Sequence, residues 1–505
     1  MPAEQRRAVA VHKRSLLLLL PLLAAATTCF ALFTGSGSFD FIDGTEFVIC
    51  GRNLDLPHPP GYPLYIFLMR VFSIVFPCAR LDYGCFRILS ALIAGGCSAA
   101  GYAALRSFGR SRVASLLGSF MLFSLAPVMA QMNVVEVHGF AMMLVLAALA
   151  LRRSPLGPYA FSMSIFAGHP VTAVFLPSAL SRSYRRVWVL MAAIPASLWL
   201  FVPLRSAFPG LSHYSRPETL DSIWQYFTLY GSRLSFPEIG RLMPLVASTG
   251  AVSLAVLAFT AVFSRTWSWK LFLTFAAGTV FVASYSIPDT SSIIWIPLLP
   301  LAIWSTSGLD RLFRAGSASK AAAIVLVGVS AVSGLSMASR RGDHSASVMA
   351  RDYLRGAGPE AVFVSTGMVT FHTAYLLEVE DRRPDILPMD AYRCFYRIQP
   401  PAILSETISG RQVYATRAWD NPLLQLCGLL FTGSPETVPW EIFDSYRYSG
   451  PIHDGFASDQ MAELWALRGI QSSGSEQRDF CRMKAMEYAE SGMVKERIGT
   501  LFDLY

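Results

Sequence analysis

The chain has 505 residues, of which 53% are hydrophobic and 15% charged, with a formal net charge of +8. A soluble domain carries about 25% charged residues, so this composition excludes a wholly soluble protein. The Lys and Arg residues lie in short loops between apolar runs, where membrane topology places them, so the positive surplus does not argue for nucleic-acid binding.

Charge is also unevenly spread, since 22 of the 34 acidic residues lie beyond Arg340. Residues 1–340 therefore read as a multi-span membrane domain and 341–505 as a water-soluble one. The expected fold is a polytopic α-helical membrane protein with a C-terminal soluble α/β domain. A span needs about 20 apolar residues. Such runs occur near 15–34, 86–104, 113–131, 136–151, 187–204, 243–263, 271–287, 293–309 and 321–338. Residues 159–181 are too long for one span and are broken at Gly168-His169-Pro170, so they read as two short ones, giving about eleven in all.

In chain order, "RRAVAVHKRSLLLLLPLLAAATTC" has the basic start and apolar core of a signal peptide. The apolar run continues through Cys29 without a small-residue cleavage site, so an uncleaved first span is expected. Arg6, Arg7, Lys13 and Arg14 precede it. The later basic clusters at 106–112, 152–153, 182–186, 265–270 and 311–320 alternate onto the same face. That face, with the N-terminus, is cytoplasmic by the positive-inside rule. Asp40, Asp43, Glu46, Asp55, Asp82, Glu136, Glu218, Asp221, Glu238 and Asp289 fall on the opposite face, together with the C-terminal domain. Two causes fit this segregation: the general polarity of external loops, or a carboxylate site at the outer membrane ends.

The first external loop, 35–85, holds the densest part of the acidic set. Asp43 and Glu46 are three residues apart. At the start of a helix they would form a capping box. The same spacing puts both carboxylates on one helical face, where one can deprotonate a hydroxyl and the other can orient it. "HPPGYP" (58–63) reads as a stiff, extended connector, because each proline disfavours the α region for the residue before it. The following "LYIFLMRVFSIVF" is amphipathic and suits the interface. Cys29, Cys50, Cys78, Cys85 and Cys97 show no metal-ligand spacing, and Cys394, Cys427 and Cys481 permit at most one internal disulfide. Beyond 340, "EAVFVST" and "RQVYAT" read as strands. "DQMAELWALRG" and the final stretch from Glu476 read as helices, the last as two.

Several of these stretches resemble one family. "DGTEF", then "LDLPHPPGYPLY", then "FRILSAL" resembles the first external loop of C-fold (GT-C) membrane glycosyltransferases, in particular the transmembrane protein O-mannosyltransferases and their bacterial relatives. "VVEVHGF" resembles the start of that family's fourth span, "FAGHPVTAVFLP" its broken segment, "FVPLRSAFP" its seventh span, and "SYSIPDTSSIIWIPLLPL" its tenth. "SHYSRPETL" departs from the family pattern in the loop after span seven.

The resemblance implies transfer, with inversion, of a sugar such as mannose from a polyprenyl- or dolichyl-phosphate donor. The acceptor would be a hydroxyl of a protein Ser/Thr or a glycan, on the non-cytoplasmic face. Asp43 would be the base and Glu46 its partner. Arg205 would hold the leaving phosphate, with His58, Arg87 and His169 as further candidates. Glu136, His138 and Asp289 would support the acceptor or the loops. No P-loop or dinucleotide fingerprint appears, no cofactor is expected, and a divalent ion at Asp43, Glu46 and Asp289 has no spacing to support it. A flippase or transporter is the alternative, but its ionisable groups would lie at mid-membrane depth. A scaffold displaying the C-terminal domain leaves the acidic loop unexplained.

Overall fold

The fold is seen in a computed structural model that describes residues 3–41, 43–76, 78, 82–179, 188–208, 217, 219–228, 234–264, 268–285, 290–390, 410–416, 425–427, 429–433, 455–489 and 492–504. The apolar runs form helices. They are α1 (Ala3–Thr34), α2 (Gly44–Asn53), α3 (Pro63–Val75), α4 (Tyr83–Ser107), α5 (Arg112–Ser124), α6 (Ala126–Met132) and α7 (Val137–Ala150). α8 (Leu156–Met163), α9 (Leu176–Ala179), α10 (Trp188–Ser197), α11 (Phe201–Ser206) and α12 (Leu220–Thr228) follow, then α13 (Met243–Thr249), α14 (Ala251–Val262), α15 (Trp269–Ser284), α16 (Trp295–Arg314) and α17 (Ser317–Ala338).

Among the described residues, only α4 and α17 are single helices long and apolar enough to cross a membrane. The pair α5 and α6 makes a third if it counts as one span, although it bends by 74°. Most other expected spans are built of shorter pieces, and their breaks fall at residues that interrupt helices. Pro127 follows the α5–α6 bend, and Gly250, with φ +78°, parts α13 from α14. At the expected break in 159–181, α8 passes through a wide turn (Ser164–Gly168) to extended His169, and Pro170 then opens a tight turn.

The helix ends are tied at a common level. Thr34 Oγ1 donates to Asn133 Oδ1 at 3.0 Å, Asn133 Nδ2 donates to the Ala338 carbonyl at 2.8 Å, and the Arg340 N–H donates to the Thr34 carbonyl at 2.8 Å. The ends of α1, α6 and α17 therefore meet on one side. At the other end Asp310, late in α16, accepts from the Ser111 N–H that precedes α5.

Beyond α17 come α18 (Ser345–Gly356), β1 (Val362–Ser365), α19 (Gly367–Glu378), β2 (Leu387–Asp390), β3 (Val413–Ala415), β4 (Gln425–Cys427) and β5 (Leu430–Thr432). They form a sheet of order β2-β1-β3-β5-β4, parallel across β2, β1 and β3 and antiparallel beyond. Both expected strands and all three expected terminal helices are present: α20 (Gly455–Ile470), α21 (Ser475–Tyr488) and α22 (Gly492–Leu504). These helices close a small core of their own around Ala466, Ala485, Ile498 and Phe502. α3 buries Tyr65, Ile66 and Met69 and exposes Val71, Ile74 and Val75, the two-faced pattern expected of it.

A disulfide joins Cys78 to Cys85, stapling the segment after α3 to the first turn of α4. No spacing rule pointed to this pair. Cys427 and Cys481 are buried, and Cys394 lies outside the described residues.

Candidate active site in the first loop

The site is built on α2. Gly44 opens it because the chain there passes too close for a side chain: a Cβ would lie 2.9 Å from both the Tyr83 ring and the Val135 carbonyl. Asp43 stands at the N-cap but makes no side-chain capping bond. Glu46 does not reach back either, so the capping-box reading fails. Glu46 reaches forward to the proline loop instead. Its Oε1 accepts from the His58 backbone N–H at 2.7 Å, and its Oε2 lies 2.6 Å from His58 Nδ1. Glu46 is fully buried, whereas the Asp43 side chain is 35% exposed.

His58 joins the two carboxylates. Its Nε2 faces Asp43 Oδ2 at 3.6 Å and the Tyr62 hydroxyl at 3.1 Å. Burial pulls the imidazole pKa down, but Asp43, Glu46 with its hydrogen bond, and Glu136 outweigh burial and lift it to about 10. Burial pushes the Glu46 carboxyl up, and its contacts with His58 pull it back. One proton is shared by this pair. His58 holds it, because three carboxylates act on the ring.

The loop is shaped to present His58. The Pro59–Pro60 peptide is cis, and Gly61 takes φ +87° with its N–H on the His58 carbonyl at 3.0 Å. A Cβ on Gly61 would meet the Tyr226 hydroxyl at 2.9 Å. That hydroxyl, from α12, donates to the Pro57 carbonyl at 2.5 Å. Pro63 then starts α3, where its missing N–H costs nothing.

Behind His58 runs a column of rings. Tyr62 stacks on His169 (5.4 Å between centroids), His169 contacts His138 (4.8 Å), and His138 contacts Trp295 (6.4 Å). His169 Nδ1 accepts from the Val171 N–H, which places its proton on Nε2. Three of the chain's eight histidines thus meet here, all of them among the expected site residues. Glu136 caps α7 by accepting from the Val137 N–H at 2.7 Å.

Two further expected phosphate ligands, Arg205 and Arg87, bond to the chain itself. Arg205 donates to the Leu54 carbonyl at 2.6 Å, to the Phe208 carbonyl at 3.1 Å and to Asp55 Oδ1 at 2.5 Å. Asp55 is fully buried, and a buried carboxylate requires such a partner. Arg87 is 5% exposed and donates to the Met132 and Ala31 carbonyls. Both arginines brace the scaffold around the loop through these bonds. Asp289 lies outside the described residues.

A metal ion is the other occupant to weigh. Asp43, Glu46 and His58 offer ligand atoms that all lie within 4.8 Å of one another. A ligating imidazole nitrogen must be unprotonated, so His58 would hold an ion through Nε2 while its Nδ1–H stays on Glu46. The 2.6 Å contact with Glu46 requires a proton on Nδ1 and leaves Nε2, toward Asp43, as the ligating nitrogen.

Residues 43–152 match the family model of the protein O-mannosyl-transferase TMEM260 N-terminal domain. The match begins at Asp43 and takes in the acidic pair, the proline loop, Arg87, Glu136 and His138. In solved structures the fold is similar to ArnT from Cupriavidus metallidurans bound to undecaprenyl phosphate. There the TM-score is 0.52 and the identity 12%, over 84% of this chain and 99% of that one. The apo form of ArnT gives TM-score 0.52 and 12% identity over 85% and 100%. A mycobacterial arabinofuranosyltransferase, AftD, gives TM-score 0.43 and 15% identity over 69% of this chain and 29% of that one. No curated protein matches the chain in sequence. Over residues 43–152 the family expected from the first loop and the family of the matching model agree, and the fold as a whole resembles that of ArnT.

Proposed function

We propose that the protein is a membrane glycosyltransferase. It would move a sugar, mannose in our reading, from a polyprenyl- or dolichyl-phosphate donor to an acceptor hydroxyl such as a protein Ser or Thr. The observation that carries the proposal is the Asp43–His58–Glu46 constellation inside the stretch that matches the O-mannosyl-transferase domain.

The residues divide the work by environment. Asp43 is the accessible carboxylate and takes the proton of the acceptor hydroxyl. The acceptor oxygen attacks the anomeric carbon as its bond to the lipid phosphate breaks, and the lipid phosphate leaves. Glu46 is buried with both oxygens on His58, so it supplies no second nucleophile, as a single inverting displacement requires. Instead it holds His58 charged, and the imidazolium beside Asp43 offsets charge on the departing phosphate.

The topology adopted with this function has about eleven spans, residues 1–340 in the membrane and 341–505 outside. The N-terminus is cytoplasmic, in the inner membrane of a bacterium or the endoplasmic reticulum of a eukaryote. The shared level of the α1, α6 and α17 ends supports it, as does the Cys78–Cys85 bond, since disulfides persist in oxidising compartments. A flippase would carry its ionisable groups at mid-membrane depth, whereas this topology puts the acidic loop at the outer helix ends.

Donor profiling tests the proposal. Purified protein is offered polyprenyl-phosphate mannose, glucose and arabinose with a Ser/Thr-rich peptide, and loss of donor is followed together with gain on peptide. Mannose transfer that disappears in Asp43→Asn is expected. Retention of every donor intact, with lipid-phosphate sugars moved across vesicles instead, would favour the flippase.

A further inference from the structure

A cavity of about 360 Å³ lies among α1, α4, α5, α6 and α17, and none of the histidine-column residues lines it. Its walls include Leu23, Phe30, Phe120, Phe123, Met129 and Leu335. Four hydroxyls also line it, and each is already used within the helices. Thr27 donates to the Leu23 carbonyl, Ser98 to Gly95, Ser119 to Ser98 and Ser124 to Met121. Their protons are taken and the rest of the lining is apolar, so water would find only a few acceptor oxygens there.

The space is built into the packing. Around it the helices touch backbone to backbone through glycines: a Cβ on Gly95 would lie 2.7 Å from the Ala24 carbonyl, and one on Gly334 would collide with the Ser124 carbonyl. The 74° bend after Ser124 turns α6 aside and leaves the gap between these two contacts. The walls therefore cannot close in, and an empty space of this size is costly. It is more than twice the roughly 150 Å³ cavity that takes benzene.

The occupant follows from what surrounds the mouth. Of the lining helices, α4 and α17 are span candidates by apolar length, α5 and α6 are one together, and α1 carries an apolar half from Leu19 to Thr34. Phe120 and Ala26 are exposed at the opening, flanked by exposed Leu22 on α1 and Val332 on α17. Only 33% of the apolar stretch of α17 is buried. In a bilayer that surface meets hydrocarbon alone.

We propose that the cavity is an intramembrane binding site for one hydrocarbon chain of a lipid, which enters between α1 and α17 past Phe120. The chain acts as a removable part of the core, filling the space left by the α5–α6 bend. The site is separate from the transfer site and does not depend on the transfer chemistry.

Photolabelling tests this. Full-length protein is placed in phosphatidylcholine nanodiscs containing either phosphatidylcholine with a diazirine in its acyl chain or a polyprenyl phosphate with a diazirine in its isoprenoid chain. After irradiation the adducts are mapped by peptide sequencing. Adducts on Phe123 and Leu335 are expected, and the arm that gives them names the source of the chain. Ser119→Leu fills the cavity and should lower these adducts several-fold, leaving those on Leu22 and Val332 unchanged. If that variant does not insert, Leu335→Phe fills the same space and adducts on Phe123 are read. Adducts confined to Leu22 and Val332 in both arms, or undiminished on Phe123 in the filled variants, overturn the proposal. Labelling unchanged in Asp43→Asn keeps the result independent of transfer.

Discussion

Replacing Glu46 by Gln is the sharpest test of how the site is held. Both Glu46 oxygens serve His58, at 2.7 Å to the backbone N–H and 2.6 Å to Nδ1, and the side chain is fully buried. Gln keeps a carbonyl for the backbone N–H but turns either the same oxygen or an NH₂ toward the ring. One charge-assisted bond, about 1.5–3 kcal/mol, is lost. Stranding a fully buried charge would cost about 3–5 kcal/mol. The His58 side chain is 23% exposed, so water recovers part of that cost, and a loss of about 2–3 kcal/mol is expected. Transfer should fall about 10²-fold as the imidazole loses the carboxylate that keeps it charged. Chemical denaturation in mild detergent gives the stability change, and peptide mannosylation gives the rate. A double-mutant cycle with His58→Gln isolates the pair, because coupled groups deviate from additivity by about 0.5–3 kcal/mol. Additive losses, or wild-type stability in Glu46→Gln, would show that the ion pair does not hold the loop.

Asp43→Asn should act in the opposite way. It removes a base worth about 10²–10⁴ in rate but leaves stability nearly unchanged, since Asp43 makes no side-chain capping bond. Full activity in this variant would move the base elsewhere. The pKa of His58 is raised to about 10 in the folded protein, so its contribution to stability is fully present below its ordinary value near 6.5 and is lost as pH rises through 10. A melting profile between pH 7 and 11 should therefore fall at its alkaline end, and the fall should be absent in His58→Gln. Arg205→Ala leaves Asp55 buried without its guanidinium and should cost about 3–5 kcal/mol with activity falling in parallel. Lost activity at unchanged stability would instead return Arg205 to the phosphate.

Much of this was legible in the sequence because it depends on local pattern. The acidic pair, the proline loop, the helical runs and the strands at 362–365 and 413–415 are short-range signals of polarity, spacing and β-branching. What stayed hidden is tertiary. Glu46 pairs with a residue twelve positions away across a turn, and Asp55 with one 150 positions away, so no spacing rule could assign their roles. Arg87 reads from sequence as a charge at a span's outer end, yet the folded chain encloses it among carbonyls of α1 and α6. Tyr62 looked like part of a stiff connector, and its contacts with His58 and His169 follow from the left-handed turn it occupies at φ +41°. The helical breaks were partly readable at Gly168-Pro170, but the 74° bend at Leu125 had only Pro127 to mark it.

The C-terminal part also bears on the site, through contacts the sequence does not hint at. Thr45 Oγ1, in the first turn of α2, lies 3.0 Å from His372 Nδ1 in α19. Phe39 stacks on the same imidazole at 5.4 Å and Phe41 meets it edge-on at 5.5 Å. Burial pulls the His372 pKa down to about 3, so the ring is neutral wherever the protein is folded and acts as packing and a hydrogen-bond partner. The Tyr375 hydroxyl, one turn on, accepts from the Tyr83 N–H at the start of α4 at 2.9 Å. α2 is thus gripped on one side by Tyr83 and Val135 of the helical bundle and on the other by α19. A carboxylate on a loop between two spans would wander with the loop. One at the start of a helix held by both the bundle and α19 keeps a fixed position, as the proposed single displacement requires.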